Sequence, residues 1–251
     1  MTTVIIIPCY NEEKRLNKQA FVDFVKENPT YSFLFVNDGS KDNTLEFLTQ
    51  LTNNQENLYL LDLDKNGGKA EAVRQGMLYA AKNFDCNFIG FWDADLATPL
   101  TEIPHFVNAM INNDFDVVTG LRLMRLGAKV KRKGSRHYLG RIFATTASRV
   151  LKLPVYDTQC GAKLYKKQIV EPLFKDSFIT KWLFDVEILA RYIQLFSREK
   201  AIEKIYEYPI YQWEDVGGSQ LKAKDFFKAP MELRKIKRKY MGKKSIISKN
   251  N

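Results

Sequence analysis

Only three cysteines, Cys9, Cys86 and Cys160, occur in 251 residues, far apart and in no CxxC or Cys/His spacing. That excludes a disulfide framework and a zinc site, and the thiols are expected to be reduced. No apolar run approaches the roughly eighteen residues needed to cross a bilayer, because Arg, Lys or Asp interrupts the longest stretches, so no transmembrane helix is predicted. The opening MTTVIIIPCYNEE has no basic leader and reaches acid soon after its aliphatic run. It reads as a buried strand rather than a signal peptide, and the expected location is the cytosol. Internal repeats and low-complexity segments are also missing. What is present, 45% hydrophobic and 13% aromatic residues, suffices for a sizeable core and excludes disorder as the main state.

Acid is missing from one long stretch. Val117 to Tyr156 carries ten Lys/Arg and no Asp/Glu, and Lys222 to Asn251 carries eleven against Asp225 and Glu232. The net charge of +10 therefore resides in these two segments, and the remainder is acidic at −9. An acidic body with two basic segments suggests a unit that meets an anionic surface or substrate.

Short continuous apolar runs at Val4 to Ile7, Phe33 to Val36, Leu58 to Leu61, Phe88 to Trp92 and Val117 to Val118 suit strands buried on both faces. Helical faces lie between them: Leu16, Ala20, Phe24 and Val25; Leu45, Leu48 and Leu51; Ala72, Val73, Met77 and Ala80. This βαβαβ order predicts an open, mostly parallel, doubly wound α/β sheet with flanking helices. Beyond Gly120 the expectation is a helix with Leu139, Ile142, Phe143, Thr146 and Val150 on one side, another through Phe184 to Phe196, and a strand through Ile202 to Tyr208. A basic amphipathic helix over Lys224 to Tyr240 completes the chain, with Phe226, Phe227, Met231 and Ile236 able to dip into a membrane. The predicted organisation is one catalytic domain over 1–220, halved at 99, followed by a basic helix and tail over 221–251.

Ligands of such sheets bind beyond the carboxyl ends of the strands. The ends here are polar: Pro8-Cys9-Tyr10-Asn11-Glu12-Glu13, Asn37-Asp38-Gly39-Ser40, Asn66-Gly67-Gly68-Lys69 and Asp93-Ala94-Asp95. Singly, Asn11, Asp42 and Asn66 serve as helix caps, Asp38-Gly39 as a turn, and Asp93 and Asp95 as caps near Pro99. At successive ends of one sheet they converge on one cleft. Its carboxylates suit a nucleotide and a hard divalent cation bridging a diphosphate. Gly67-Gly68 permits close approach at a helix N-terminus and Lys69 adds charge near a phosphate. The spacing is neither GxGxxG nor GxxxxGK[ST], which excludes a Rossmann dehydrogenase and a P-loop NTPase.

The motifs IIIPCYNEE, VNDGSKDNT, NGGKAEAVRQGM and WDADLATP resemble the nucleotide-sugar half of a family 2 glycosyltransferase of GT-A fold. DTQCGAKLY from Asp157 and KWLFDVE from Lys181, with WEDVGGS from Trp213, are similar to the dolichyl-phosphate β-glucosyltransferase branch. The resemblance spans about residues 3 to 220, with two departures: no hydrophobic anchor, and Ala97 where mannose synthases often carry Gln. It implies inverting transfer of a hexose from a nucleotide sugar, UDP-glucose favoured and GDP-mannose possible, to a polyprenyl phosphate. Asp38 and Asp93 are then expected on the nucleoside, within a donor set of Pro8, Tyr10, Glu12, Lys69 and Ala94, and Asp95 on Mg2+ or Mn2+. Asp157 and Asp185 are the candidates to orient acceptor or sugar hydroxyls.

Within the basic segment, Arg122 and Arg136 are the expected pair for the acceptor phosphate, because Arg makes bidentate phosphate contacts. Lys131, Arg132 and Lys133 are expected to face lipid headgroups. The partners implied are an anionic membrane surface on its cytoplasmic side, met peripherally, or an integral-membrane protein, and no nucleic acid. Three alternatives stay open. A soluble glycosyltransferase acting on hydroxyl acceptors would need a carboxylate base. A nucleic-acid binder would use the basic segments but has no recognised motif. A sugar nucleotidyltransferase would want a basic phosphate loop where this chain is acidic.

Overall fold

In a computed structural model of the chain, which describes residues 1–53, 55–131, 134–214, 216 and 223–242 (for 134–139 and 223–227 the backbone only), the aliphatic runs of the first half become parallel strands. β1 (Thr3–Cys9), β2 (Tyr31–Asp38), β3 (Leu58–Leu63), β4 (Phe88–Trp92) and β5 (Val117–Leu121) alternate with α1 (Lys18–Glu27), α2 (Thr44–Asn53), α3 (Lys69–Asn83) and α4 (Ile103–Asn113). The second half adds β6 (Lys129–Lys131), α5 (Gly134–Leu151), β7 (Ala162–Lys166), α6 (Lys167–Phe174), α7 (Phe184–Phe196), α8 (Arg198–Lys204), β8 (Ile205–Pro209), β9 (Gln212–Glu214) and α9 (Ala223–Tyr240).

The main sheet has the order β3-β2-β1-β4-β7-β5-β8, and β6 pairs with β9 beside it. Every pairing in the main sheet is parallel except those of β7, which runs antiparallel to β4 and β5. Strand order reverses between β1 and β4, the point at which an open α/β sheet parts at its carboxyl edge into a crevice. Because β7 is reversed, its first residues share that edge with the last residues of β4: Trp92 faces Ala162.

Alternate residues of each strand feed two cores. Val4, Ile6, Leu34, Val36, Ile89 and Phe91 pack on one face with α3, α5, α6, α7 and α9. Ile5, Ile7, Phe33, Phe35, Phe88 and Trp92 pack on the other with α1, α2 and α4. Ile5, Ile6 and Ile7 are fully buried, each stabilising by about 1.5–3 kcal/mol. All three cysteines are free and buried.

Several expectations are corrected. Helix α5 buries Phe143, Ala144, Ala147 and Leu151, and Ile142 is 66% exposed, so its buried face is turned from the predicted one. Residues 202–204 end helix α8 before the strand begins. Ile236, expected at a membrane, is fully buried with Leu233 in the same core as α3 and α7. Met231 is exposed, and the side chains of Phe226 and Phe227 lie outside the described residues. Among the described residues no helix is long and apolar enough to cross a membrane.

Candidate active site

The first two strand ends are tied to each other by short polar groups. Thr44 Oγ1 accepts from the backbone N–H groups of Glu12 (2.8 Å) and Glu13 (3.1 Å), and Asn11 Oδ1 accepts from Lys41 N at 2.8 Å. This lock aims the Tyr10–Glu13 turn over the crevice. Asp38, at the end of β2, is 2% exposed, and its carboxylate accepts from Gly67 N at 2.7 Å and Gly68 N at 2.8 Å. Burial raises the affinity of Asp38 for its proton, and the two N–H groups oppose that. The helix N-terminus expected to approach a phosphate therefore already carries an anion of the chain's own. Gly68, at φ +85°, supplies the left-handed turn that aims its N–H there.

Acid and base alternate in the centre of the cleft. Lys69, in the first turn of α3, places its ammonium on Asp93 Oδ1. Burial works against that charge, but Asp93, Asp185 and Asp95 overrule it and hold the ammonium above the ordinary lysine range. Asp95 accepts from Ala97 N at 3.1 Å and lies 3.9 Å from Arg15, which also reaches Glu12 at 3.5 Å. Burial first, then the neighbouring Asp93, raises the proton affinity of Asp95. Glu12 is raised too, by burial and in part by Asp95, Asp42 and Asp93, with Arg15 opposing. Ala94 is buried in the core, whereas Pro8 and Tyr10 are half-buried at the rim.

Asp93 owes its position to β7. A Cβ at Gly161 would collide with the Asp93 carboxylate, so only glycine leaves that group room. Two residues further in, Lys163 is 4% exposed and lies 2.7 Å from Asp185 Oδ1 on the first turn of α7. Lys163 also donates to the Thr158 and Cys160 carbonyls, so this buried ammonium is fully partnered. Burial raises Asp185's proton affinity, against the pull of Lys163 and Lys69. Asp93, Lys69, Asp185 and Lys163 thus follow one another with alternating charge from the cleft surface into the sheet.

Asp157 and Arg122, assigned separate tasks by sequence, face each other. Arg122 Nε and Nη2 donate to Asp157 at 2.7 and 2.8 Å, and its guanidinium lies 5.3 Å over the Trp213 ring. Glu207 on β8 pins the same corner, accepting from Tyr156 N at 2.7 Å and Asp157 N at 2.6 Å. Against desolvation, Asp157 keeps the Arg122 guanidinium charged. Arg122, Arg141, Tyr156, Thr158 and Gln159 line a small pocket beside this pair. Arg141 stacks 3.3 Å from the centre of the Tyr156 ring, and Thr158 Oγ1 and Gln159 Nε2 find no hydrogen-bond partner among the described residues. The basic segment is thus partly neutralised from afar: Lys131 also pairs with Glu214 at 3.2 Å. The side chain of Arg136, and Arg132 and Lys133 altogether, lie outside the described residues.

The residues fit a hard divalent cation only in part. Asp93 and Asp95 offer two carboxylates and Glu12 Oε2 is buried without a hydrogen-bond partner, yet among the described residues no group of three acidic, His or Cys side chains could hold an ion alone. Such a set holds a cation together with oxygens of a ligand, as Mg2+ is usually held. Arg15, Lys163, Gly161 and Glu207 escaped the sequence argument. Only Gly161 and Lys163 left a signal, as members of the quoted DTQCGAKLY motif.

Residues 4–174 match the family described as Glycosyl transferase family 2. A dolichyl-phosphate beta-glucosyltransferase of Trichomonas vaginalis is 31% identical over 247 residues, covering 93% of this chain and 70% of the relative. The Saccharomyces cerevisiae protein of that name is 29% identical, covering 86% and 68%. Among solved structures, glucosyl-3-phosphoglycerate synthase of Mycobacterium tuberculosis, with Mn2+, UDP and phosphoglyceric acid, superposes at a TM-score of 0.67 over 94% of this chain and 78% of that one, at 13% identity. At that identity the likeness is one of fold.

Proposed function

The chain belongs to glycosyl transferase family 2, and on that premise we propose that it transfers glucose from UDP-glucose to a dolichyl or other polyprenyl phosphate, with inversion at the anomeric carbon. The observation that carries this reading is the alternating series Asp93, Lys69, Asp185 and Lys163 at the carboxyl edge of the sheet, beside a small, guanidinium-lined pocket. The names of the relatives in Trichomonas, yeast and Dictyostelium support the acceptor.

In the proposed reaction a phosphate oxygen of the acceptor forms the new bond to C1 of the sugar. The bond from C1 to the diphosphate breaks, and its electron pair leaves with the nucleotide. A phosphomonoester has a second pKa near 6, so the nucleophile is already ionised at neutral pH and no strong base is required. Asp93, Asp95 and Glu12 would hold Mg2+ or Mn2+ jointly with the donor diphosphate, and that ion would supply charge neutralisation on the leaving group. Lys69 adds a fixed positive charge at the same place. Asp185, held by Lys163, orients sugar hydroxyls. Tyr10 and Pro8 form the rim on the nucleoside side, and Asp38 shapes that side through the Gly67-Gly68 turn. Arg122 and Arg141 face the acceptor phosphate, with Asp157 fixing the Arg122 fork.

The outward face of α9 exposes Lys228, Arg234, Lys235, Lys237, Arg238 and Lys239. With Ile236 turned inward, this face suits flat electrostatic contact with an anionic cytoplasmic leaflet rather than insertion, at about 1 kcal/mol per cation near the surface. An integral-membrane partner with an acidic face is the competing occupant, and failure to pellet with anionic vesicles at low salt would favour it.

The test of the function is direct transfer. UDP-[14C]glucose with dolichyl phosphate and Mn2+ is expected to yield an organic-extractable labelled lipid, with GDP-mannose a poor donor. Label recovered only on soluble glycans would overturn the acceptor, and preference for GDP-mannose would overturn the donor.

A further inference from the structure

Between α6 and α7 the chain runs through residues 175–183 without regular secondary structure, and this segment delivers Asp185 to the cleft. Its middle, Ile179 and Thr180, is tied to one buried carboxylate. Glu187, wholly buried, accepts from Ile179 N at 3.0 and 3.1 Å, from Thr180 N at 3.1 Å and from Thr180 Oγ1 at 3.0 Å. Arg191 closes the other side, donating to Glu187 at 2.8 Å and to the carbonyls of Leu173, Asp176 and Ser177.

Helix α9 reaches this segment twice. Tyr240 Oη donates to Glu187 Oε1 at 2.8 Å, and Glu232 Oε2 accepts from Leu183 N at 3.3 Å. Leu183 immediately precedes α7, and Asp185 stands in its first turn. A helix that served only as a basic tail would need neither contact. Its packing is already provided by Ala229, Leu233 and Ile236. A carboxylate aimed at the one N–H that opens α7 and a phenol aimed at the hub carboxylate both act on the segment that orients Asp185.

We propose that Glu232 and Tyr240 are positioning residues that hold Asp185 in register with Lys163 and the cleft, so that the seating of α9 sets the rate of transfer. The inference rests on the reading of Asp185 as part of the transfer site. It makes α9 a strut between the basic outer face and the reaction centre.

The test uses full-length Tyr240→Phe, Glu232→Ala and Glu232→Gln. Tyr240→Phe and Glu232→Ala are expected to speed amide exchange over residues 178–187 roughly tenfold, the share of one buried hydrogen bond, while leaving β1 and β4 protected. Turnover should fall roughly three- to tenfold with UDP affinity and donor KM unchanged. Glu232→Gln, whose amide oxygen still accepts from Leu183 N, should restore most of the rate. Unchanged exchange over 178–187, unchanged turnover, or a parallel loss of UDP affinity and of β1 and β4 protection would each overturn the inference. The exchange measurement needs no acceptor, so a wild-type protein inactive on dolichyl phosphate would count against the proposed acceptor alone.

Discussion

Three cleft carboxylates of the first half of the chain lead a different life from two of the second half. Asp93, Asp95 and Glu12 stand at strand ends with side chains 36%, 25% and 13% exposed, next to basic groups that satisfy them only in part. Asp157 and Asp185 are 8% and 7% exposed, and each is matched to a cation on another strand end, Arg122 or Lys163. The first group has unspent charge to offer a ligand. The second has used its charge to fix geometry, because a buried ion without a partner costs several kcal/mol. A site for a diphosphate sugar needs both kinds, one to bind and one to hold.

The largest expected break in this contrast is Lys163→Met. It leaves Asp185 buried without its cation, and unfolding by urea should show a loss of about 3–5 kcal/mol. A loss below about 1 kcal/mol would mean that Asp185 takes up a proton cheaply and that the pair does not fix the cleft.

Gly161→Ala comes next. The new methyl group displaces the Asp93 carboxylate, and misplacement by about 1 Å at a reacting site costs on the order of 100-fold in rate. Stopped assays of transfer should show that fall with the melting temperature nearly unchanged. Wild-type turnover would show that the position of Asp93 is not critical.

The smallest effect belongs to a partly exposed pair in the first half, Glu71 with Arg74 at 2.7 Å. Arg74 lowers the Glu71 pKa below its ordinary value, against burial. The folded value is thus below the unfolded one of about 4.3, so this contribution is present above that pH and is lost as pH falls through the folded value. At this exposure it is worth less than about 1 kcal/mol. Denaturant titrations at pH 7 and pH 3 should differ by that much less in Glu71→Gln than in wild type, and an unchanged difference would remove Glu71 from the acid response.

Much of the architecture is legible because β1 to β5 are short, mostly apolar runs and α1 to α3 keep a 3.6-residue period. Strand β7 is not. AKLYK carries a lysine at its second position, which reads as surface until Asp185, from another element, makes burial of Lys163 possible. Helix α5 was rotated in the prediction because small residues, Ala144 and Ala147, fill its buried face while Ile142 looks outward. The first-half strand ends could be located from sequence because polar residues follow apolar runs directly. The pairing of Arg122 with Asp157, 35 residues apart, depends on the placement of β5 beside β7, which no local pattern encodes. The basic tail differs for a related reason: Ile236 looks like part of a membrane face until α5 and α7 pack against α9.

The central claim is that the exposed carboxylates of the first half bind the donor through a divalent cation while those of the second half hold the site. Calorimetric titration of UDP-glucose in the presence of Mn2+ tests it most directly, with wild type, Asp95→Ala and Asp157→Ala compared before and after EDTA. The account predicts binding that EDTA abolishes, that Asp95→Ala loses and that Asp157→Ala largely keeps. Affinity unchanged by both EDTA and Asp95→Ala would contradict it.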